Sequence, residues 1–354
     1  MTASTLLLEP KQVARAARLI YVSDTMPGIS RRQNGDHYDY IAPNGDLVDD
    51  EATLARIRGL ALPPAYQHVW ICPKPNGHLQ ATGIDAKGRK QYRYHANWNA
   101  ARSETKFHRM IAFGETLPKL RKRLHDDLNQ KTLSKEKVIA VALSVMEQTL
   151  IRVGNAAYEK EYGSYGLTTL KDRHVKTEGD DVRFSFKGKK GIYHDITLHD
   201  RRLARLVKAC RDIPGKELFQ YFDAAGERHS IDSGMVNTYL HETMGDEFSA
   251  KDFRTWAGTT NALRLLVELE PCSTEKEAKK NVNTVLDEVS HRLGNTRTVC
   301  RKHYVHPQLL DAYECQDLNQ YIERRHRFRQ TSPHGLDAVE KLLLTFLKDQ
   351  ANKK

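Results

Sequence analysis

The 354-residue sequence predicts an α+β chain of two domains. Residues 1–100 form a small strand-rich domain, and residues 101–354 a larger, mainly helical one that holds a small three-stranded sheet. Three observations predict this. Before residue 100, short apolar runs are separated by Gly and Pro. After Lys106, apolar residues recur at a spacing of three and four. Between them and the C-terminal helices, three β-rich runs are joined by Gly-rich turns. The length suffices for two hydrophobic cores.

In chain order, a short helix starts near Lys11–Ala17, and Leu19-Ile20-Tyr21-Val22-Ser23 is a strand candidate. His37–Ile41 is another. Asn44-Gly45 then signals a turn, so that Leu47-Val48 can pair back. Glu51–Leu60 reads as a helix that Pro63-Pro64 ends. His68–Cys72, Leu79–Ile84 and Gln91–Tyr94 are three further strands. Asn97–Glu104 is polar and irregular, and the domain boundary is placed there. Phe113, Leu117, Leu120, Leu124 and Leu128 then mark a helix with Pro118 at its start or at a kink. Val138, Ala142, Val145 and Met146 mark the next, which runs toward Arg152. His174–Lys176, Val182–Phe186 and Ile192–Leu198 are the three strands of the interlude. Ser249 with Asp252, and Thr274 with Glu277, are spaced as capping boxes that open helices. Gly294 suits the end of the second of these helices, and Leu336–Leu347 is a final amphipathic helix.

The five cysteines are scattered and odd in number, with no C-x-x-C pair, which argues against a disulfide framework and a structural zinc site. No apolar run is long enough to span a membrane, and the N-terminus lacks the positive region of a secretory signal, so a cytoplasmic protein is expected. The 56 Lys and Arg exceed the 45 Asp and Glu, giving a net charge of +11. Such an excess suits a polyanionic partner such as nucleic acid, though it also serves simple solvation.

Tyr304 stands among Arg297, Arg301, Lys302 and His303, nine residues after Asn295. A tyrosine among cations is a poor core residue and a plausible nucleophile toward an anionic centre. Three other segments offer cations. Arg152 precedes a Gly at a helix end, where it can cap the helix or hold phosphate oxygens with its planar donor fork. Lys171 lies before a strand, where most lysines are merely solvated. Arg254 falls in the first turns of a helix, where its charge opposes the helix dipole and suggests a nearby anion, with Asp252 as the plain ion partner instead. His303 and His306 lack ligand spacing, so metal binding is discounted.

Taken in order, these segments resemble the type IB DNA topoisomerases of the small bacterial and poxvirus kind. The similarity lies in Arg152-x-Gly154, in Gly166-Leu167-x-Thr169-Leu170-Lys171-x-x-His174, in Lys251-Asp252-x-Arg254-Thr255 and in Gly294-Asn295-Thr296 with Lys302-x-Tyr304. In the first domain, Gly83 to Tyr94 is similar to the family's DNA-contacting strand segment. The resemblance implies a topoisomerase IB fold, an N-terminal DNA-clamp domain and a helical catalytic domain. It implies that Tyr304 attacks a DNA phosphodiester to give a 3′-phosphotyrosyl link, and that the strand swivels before religation. Arg152 and Arg254 then hold the phosphoryl oxygens, and Lys171 is the general acid to the leaving 5′-oxygen. Many relatives have histidine where this chain has Asn295, so Asn295 is expected to act as a neutral donor that does no acid–base work. Arg89, Lys90, Gln91, Tyr92, Tyr94, Tyr158 and Lys251 make up the expected DNA-binding set, acting on phosphates, sugars and base edges.

No nucleotide-binding loop and no acidic metal cluster is evident, so neither ATP nor another cofactor nor a metal is expected. The expected partner is double-stranded DNA, enclosed by a monomer that closes as a clamp in the cytoplasm, at the nucleoid. Two other readings stay open. A tyrosine recombinase has a similar tyrosine spacing, but Lys251 and Asn295 stand where it has histidines. A non-catalytic basic DNA-binding protein explains the charge but leaves the ordered Arg, Lys, Arg, Asn and Tyr unexplained.

Overall fold

The computed structural model describes residues 10–353 except 36, 87, 89, 246–247, 270–271, 273, 325–326 and 331. The chain divides into two compact units, Met1–Phe107 and His108–Lys354.

The first unit is built on a five-stranded antiparallel sheet. Helix α1 (Pro10–Ala16) precedes β1 (Ile29–Asn34) and β2 (His37–Ile41). Helix α2 (Glu51–Gly59) is capped by Asp50, whose carboxylate accepts from the Thr53 N–H at 2.8 Å. Strands β3 (Gln67–Ile71), β4 (Leu79–Ile84) and β5 (Lys90–Tyr94) complete the sheet, in the order β2-β1-β3-β4-β5. Ile29, Ile57, Val69, Ile71 and Ala81 form its core. The Leu47 pairing expected after Asn44-Gly45 is present as a bridge to Ile41.

Two expectations fail here. Leu19–Ser23 is not a strand. Its available partner is the tight turn ending at Gly77 and His78, so only Ile20 makes a bridge and the Val22 N–H goes to the His78 ring. Conversely, β1 leaves no signal in the sequence, because only Ile29 of its six residues is buried and no apolar alternation marks it.

The second unit is mainly helical. Helix α3 runs from Ala96 to Leu128, so the polar 97–104 stretch is helical rather than irregular, and Pro118 lies inside the helix. Polarity was the misleading cue, since that stretch contains neither Gly nor Pro to break a helix. Phe113, Leu117, Leu120 and Leu124 are its buried face. Helix α4 (Lys135–Thr149) is almost wholly buried, with Val138 to Leu143, Val145 and Met146 packed on all sides. Helix α5 (Ala156–Tyr162) follows.

The small sheet of β6 (Val175–Glu178), β7 (Asp181–Lys187) and β8 (Tyr193–His199) is antiparallel in that order. Helix α6 (Arg201–Arg211) leads to a two-stranded ribbon, β9 (Gln220–Phe222) and β10 (Arg228–Ser230), too short to leave a periodic signal. Then come α7 (Ser233–Met244), α8 (Ala250–Leu266), α9 (Glu275–Leu293), α10 (Arg297–His303), α11 (Pro307–Glu314), α12 (Asn319–Arg324) and α13 (Ala338–Asn352). The Ser249–Asp252 box opens α8 as expected, and Thr274 caps α9 by accepting from the Glu277 N–H.

A buried polar knot ties four of these helices. Arg121 of α3 donates to Glu340 of α13 through both terminal nitrogens at 2.8 Å, and its Nε donates to Glu147 of α4 at 2.7 Å. Glu340 also accepts from Trp256 Nε1 of α8 at 3.0 Å. Removing one member strands the others. Glu340→Ala is expected to lower unfolding free energy by about 3 kcal/mol, read as a lower urea midpoint with an unchanged slope. A variant as stable as the parent would contradict the knot's role.

Candidate active site

The site forms where two helices end side by side. The last carbonyls of any helix lack partners in the helix itself and carry its negative dipole end. Helix α4 ends at Leu150 and α9 at Gly294, both in the left-handed conformation, with φ of 58° and 55°. Gly294 is needed twice over, because a Cβ there would sit 2.4 Å from the ring of His194. Arg254 enters from α8, is 5% exposed, and serves both ends. One terminal nitrogen donates to the Leu150 carbonyl and the other to the Leu293 carbonyl at 2.5 Å. Arg152 donates to the Gly294 carbonyl at 3.2 Å and to Asn295 Oδ1 at 2.8 Å. Asn295 in turn donates from Nδ2 to the Leu293 carbonyl at 3.3 Å.

The anion expected for Arg254 is therefore supplied, in part, by carbonyl dipoles. Arg254 is the fifth residue of α8, past the first turn, and it points at the negative ends of two other helices. Its Nε is buried and has no hydrogen-bond partner among the described residues. Burial, followed by the charge of Arg152, pushes its guanidinium down to about 10, and burial pushes Arg152 down as well. Arg254 remains charged at neutral pH.

Tyr304 follows α10 directly, with its ring centroid 5.3 Å from the Arg254 guanidinium carbon. Its backbone is fixed from two sides. The Tyr304 N–H donates to the Cys300 carbonyl at 2.9 Å, and the Tyr304 carbonyl accepts from Thr259 Oγ1 at 3.2 Å. Gly258 lets α8 approach this closely, for a Cβ there would meet the Tyr304 carbonyl oxygen at 2.6 Å.

Arg152, Arg254, Asn295 and Tyr304 thus come together, and Lys171 does not join them. Its ammonium lies 2.8 Å from both Glu159 and Glu217. Burial disfavours its charge, but the two carboxylates more than offset this and hold it above the ordinary lysine value. Another lysine stands in the cluster, unnoticed in the sequence. Lys189 occupies the turn between β7 and β8. The residue is exposed overall, yet partial desolvation of its ammonium pushes it below the ordinary value. Arg152, Lys190 and Lys251 push the same way, and Tyr304 opposes them. Gly188-Lys189-Lys190-Gly191 looks like a solvated turn, so only the folded hairpin reveals its neighbours.

The remaining expected DNA contacts are distributed. Lys251 is exposed at the second position of α8, and Tyr158 is 50% exposed on α5. In the first unit, Lys90, Gln91, Tyr92 and Tyr94 lie on the edge strand β5. Tyr92 and Tyr94 are exposed and parallel, 6.0 Å apart, whereas Lys90 is paired with Asp24 and Gln91 with Asp85. Arg89 lies outside the described residues.

His194 of β8 also escaped notice. Its ring stacks on Phe186 at 5.1 Å and lies against both Gly188 and Gly294, so it joins the Lys189 turn to the end of α9. Burial pushes the imidazole down to about 4, with Arg152 and Arg254 acting in the same direction. The unfolded chain, with a value of roughly 6.5, then binds the extra proton first. This group's contribution to stability is full above the unfolded value and is lost as pH falls from there toward about 4. We expect His194→Phe to close its stability gap to the parent between pH 7 and pH 4.5, read by urea unfolding at both values. A gap independent of pH would contradict a neutral imidazole here.

Known proteins resemble this chain along most of its length. Residues 95–330 match the family described as the catalytic core of eukaryotic DNA topoisomerase I, and residues 37–85 that described as the N-terminal domain of bacterial DNA topoisomerase IB. The chain is 31% identical over 296 residues to the DNA topoisomerase 1B of Acanthamoeba polyphaga mimivirus, a match covering 82% of this chain and 88% of the viral one. It is 22% identical over 253 residues to the DNA topoisomerase 1B of Vaccinia virus (strain Copenhagen), covering 70% and 75%. With the DNA topoisomerase 1 beta of Arabidopsis thaliana it shares 26% identity over 227 residues, which is 62% of this chain and 24% of the plant protein. By matches of that extent, in both compact units, the chain belongs to the type IB DNA topoisomerases, alongside small viral and bacterial members of that family.

Proposed function

We propose that this topoisomerase relaxes supercoiled DNA through a transient single-strand break with Tyr304 as nucleophile. The phenolic oxygen, having given its proton to solvent water, attacks phosphorus. A bond from Tyr304 to the 3′-phosphate forms while the bond to the 5′-oxygen breaks, and that oxygen leaves as a hydroxyl after taking a proton from a lysine. The strand swivels, the 5′-hydroxyl attacks back, and the proton returns. The ester to Tyr304 stores the energy of the broken linkage, so the cycle requires no ATP. We propose also that one chain suffices, closing as a clamp on the duplex in the cytoplasm, at the nucleoid.

The observation that carries this reading is the convergence of Arg152, Arg254 and Asn295 beside Tyr304. Charge in the transition state collects on the non-bridging phosphoryl oxygens, and guanidinium forks preorganised in a dry setting stabilise it at little reorganisation cost. Each terminal guanidinium nitrogen carries two N–H groups, so these arginines can donate to the oxygens of a phosphodiester while they keep their bonds to the helix carbonyls. Asn295 holds Arg152 through its oxygen and keeps its amide as a neutral donor.

For the proton donor we propose Lys189 in place of Lys171. A general acid works best with an affinity for protons near the working pH. Lys189 is shifted toward that range and feels the charges of Arg152 and Tyr304, whereas Lys171 is locked between carboxylates and shifted away.

Two duplex substrates test both assignments, one with the natural scissile 5′-oxygen and one with sulfur there, whose thiolate leaves without a proton. Lys189→Ala is expected to slow single-turnover cleavage of the oxygen substrate by roughly 10²–10⁴-fold and to cleave the sulfur substrate almost as fast as the parent. Tyr304→Phe should cleave neither while still binding DNA, and should leave supercoiled plasmid intact under conditions, with EDTA and without ATP, where the parent relaxes it stepwise. Equal losses of Lys189→Ala on both substrates would overturn the donor assignment, and relaxation by Tyr304→Phe would overturn the nucleophile.

A further inference from the structure

Lys171 lies close to the site in sequence but not in the cluster, and its surroundings indicate what it does. Helix α5, with the sequence Ala-Ala-Tyr-Glu-Lys-Glu-Tyr, has seven residues and buries none of them. A helix so short has little stability of its own and must be held by contacts with the body of the unit. It starts four residues after Arg152, directly after the Asn155 cap, and presents Tyr158 to solvent. Glu159 reaches from it to the Lys171 ammonium at 2.8 Å, which Glu217 approaches from the other side at the same distance.

Lys171 itself is firmly seated. It forms a single antiparallel bridge with Glu217, and its N–H donates to His174 Nδ1 at 3.1 Å. Next to it, the Leu218 N–H donates to the Leu170 carbonyl at 2.9 Å. The lysine is thus a fixed post, and α5 is the element tied to it. The ion pairs are mostly shielded, with side-chain exposures of 17% for Lys171, 23% for Glu159 and 35% for Glu217, so they keep more of their strength than surface pairs do.

We propose that Lys171 is a positioning residue which, with Glu159 and Glu217, forms a clasp that fixes α5 and its exposed Tyr158 against the catalytic unit beside the entry of Arg152 into the site. The clasp rests on the reading in which another lysine supplies the proton. Opening it frees α5, so Tyr158 and the segment leading from Arg152 lose their common placement, and phosphate and duplex are held less well together.

Lys171→Met, Lys171→Arg and Glu159→Gln test this. Glu159→Gln leaves Lys171 paired with Glu217, so it keeps the test alive should Lys171→Met fail to fold. Amide hydrogen exchange is followed by mass spectrometry over residues 155–163 and over α8 and α9. Single-turnover cleavage is followed on the oxygen and sulfur duplexes. The clasp predicts exchange faster by about fivefold in α5 alone for Lys171→Met and Glu159→Gln, slower cleavage by the same factor on both substrates, and near-parent behaviour for Lys171→Arg. Unchanged exchange in α5 would overturn the clasp. Rescue of Lys171→Met by sulfur alone would overturn it too, and would return the donor role to Lys171. Failure of the Lys189 assignment would show instead as a Lys189→Ala defect that sulfur does not relieve.

Discussion

A buried guanidinium between two helix ends is the constraint on which the site depends. Taking a charge out of water costs several kcal/mol unless good partners replace the water. Arg254 finds them in the carbonyls of Leu150 and Leu293, which need donors as much as it needs acceptors. That requirement fixes the rest. Helices α4 and α9 must end together, each with a left-handed cap, and α8 must bring Arg254 between them. Gly258, on the next turn of α8, then sets the Tyr304 backbone at contact distance.

The electrostatic result is a cluster biased against positive charge in the absence of an anion. Arg254, Arg152, Lys189 and His194 are all shifted toward their neutral forms by burial, and the charge of Arg152 adds to the shift of the other three. Among the described residues, no carboxylate perturbs any of the four. A phosphodiester brought into such a cluster would offset these shifts by supplying the opposite charge. Lys171 is the contrast. It has two carboxylate partners, an upward shift and a partly buried seat, which suits a structural post better than an acid.

Much of this was legible in the chain. Long periodic segments such as α9 and the Ser249–Asp252 box declared themselves through spacing and capping chemistry, and Tyr304, Arg152, Arg254 and Asn295 stood out as an ordered set. Elements whose burial is too slight to leave a pattern were hidden, as β1 and the β9–β10 ribbon show. So were residues whose meaning is purely spatial. Lys189 sits in a turn that reads as solvent-facing, and His194 on a strand where alternation alone says little. Both acquire significance only when the β7–β8 hairpin is set against the end of α9. Lys171 is the opposite case, a residue whose motif is contiguous with Gly166-Leu167 while its side chain turns to Glu159 of α5 and to Glu217.

In the proposed cycle Tyr304 forms a covalent bond to the 3′-phosphate held by the two arginines. That bond is tested most directly by trapping the protein on a nicked duplex that cannot religate, digesting the DNA and the protein, and sequencing the adduct by mass spectrometry. The account predicts a nucleotide mass on Tyr304, linked through its 3′-phosphate, and no adduct from Tyr304→Phe. An adduct on another residue, or linkage through a 5′-phosphate, would contradict it.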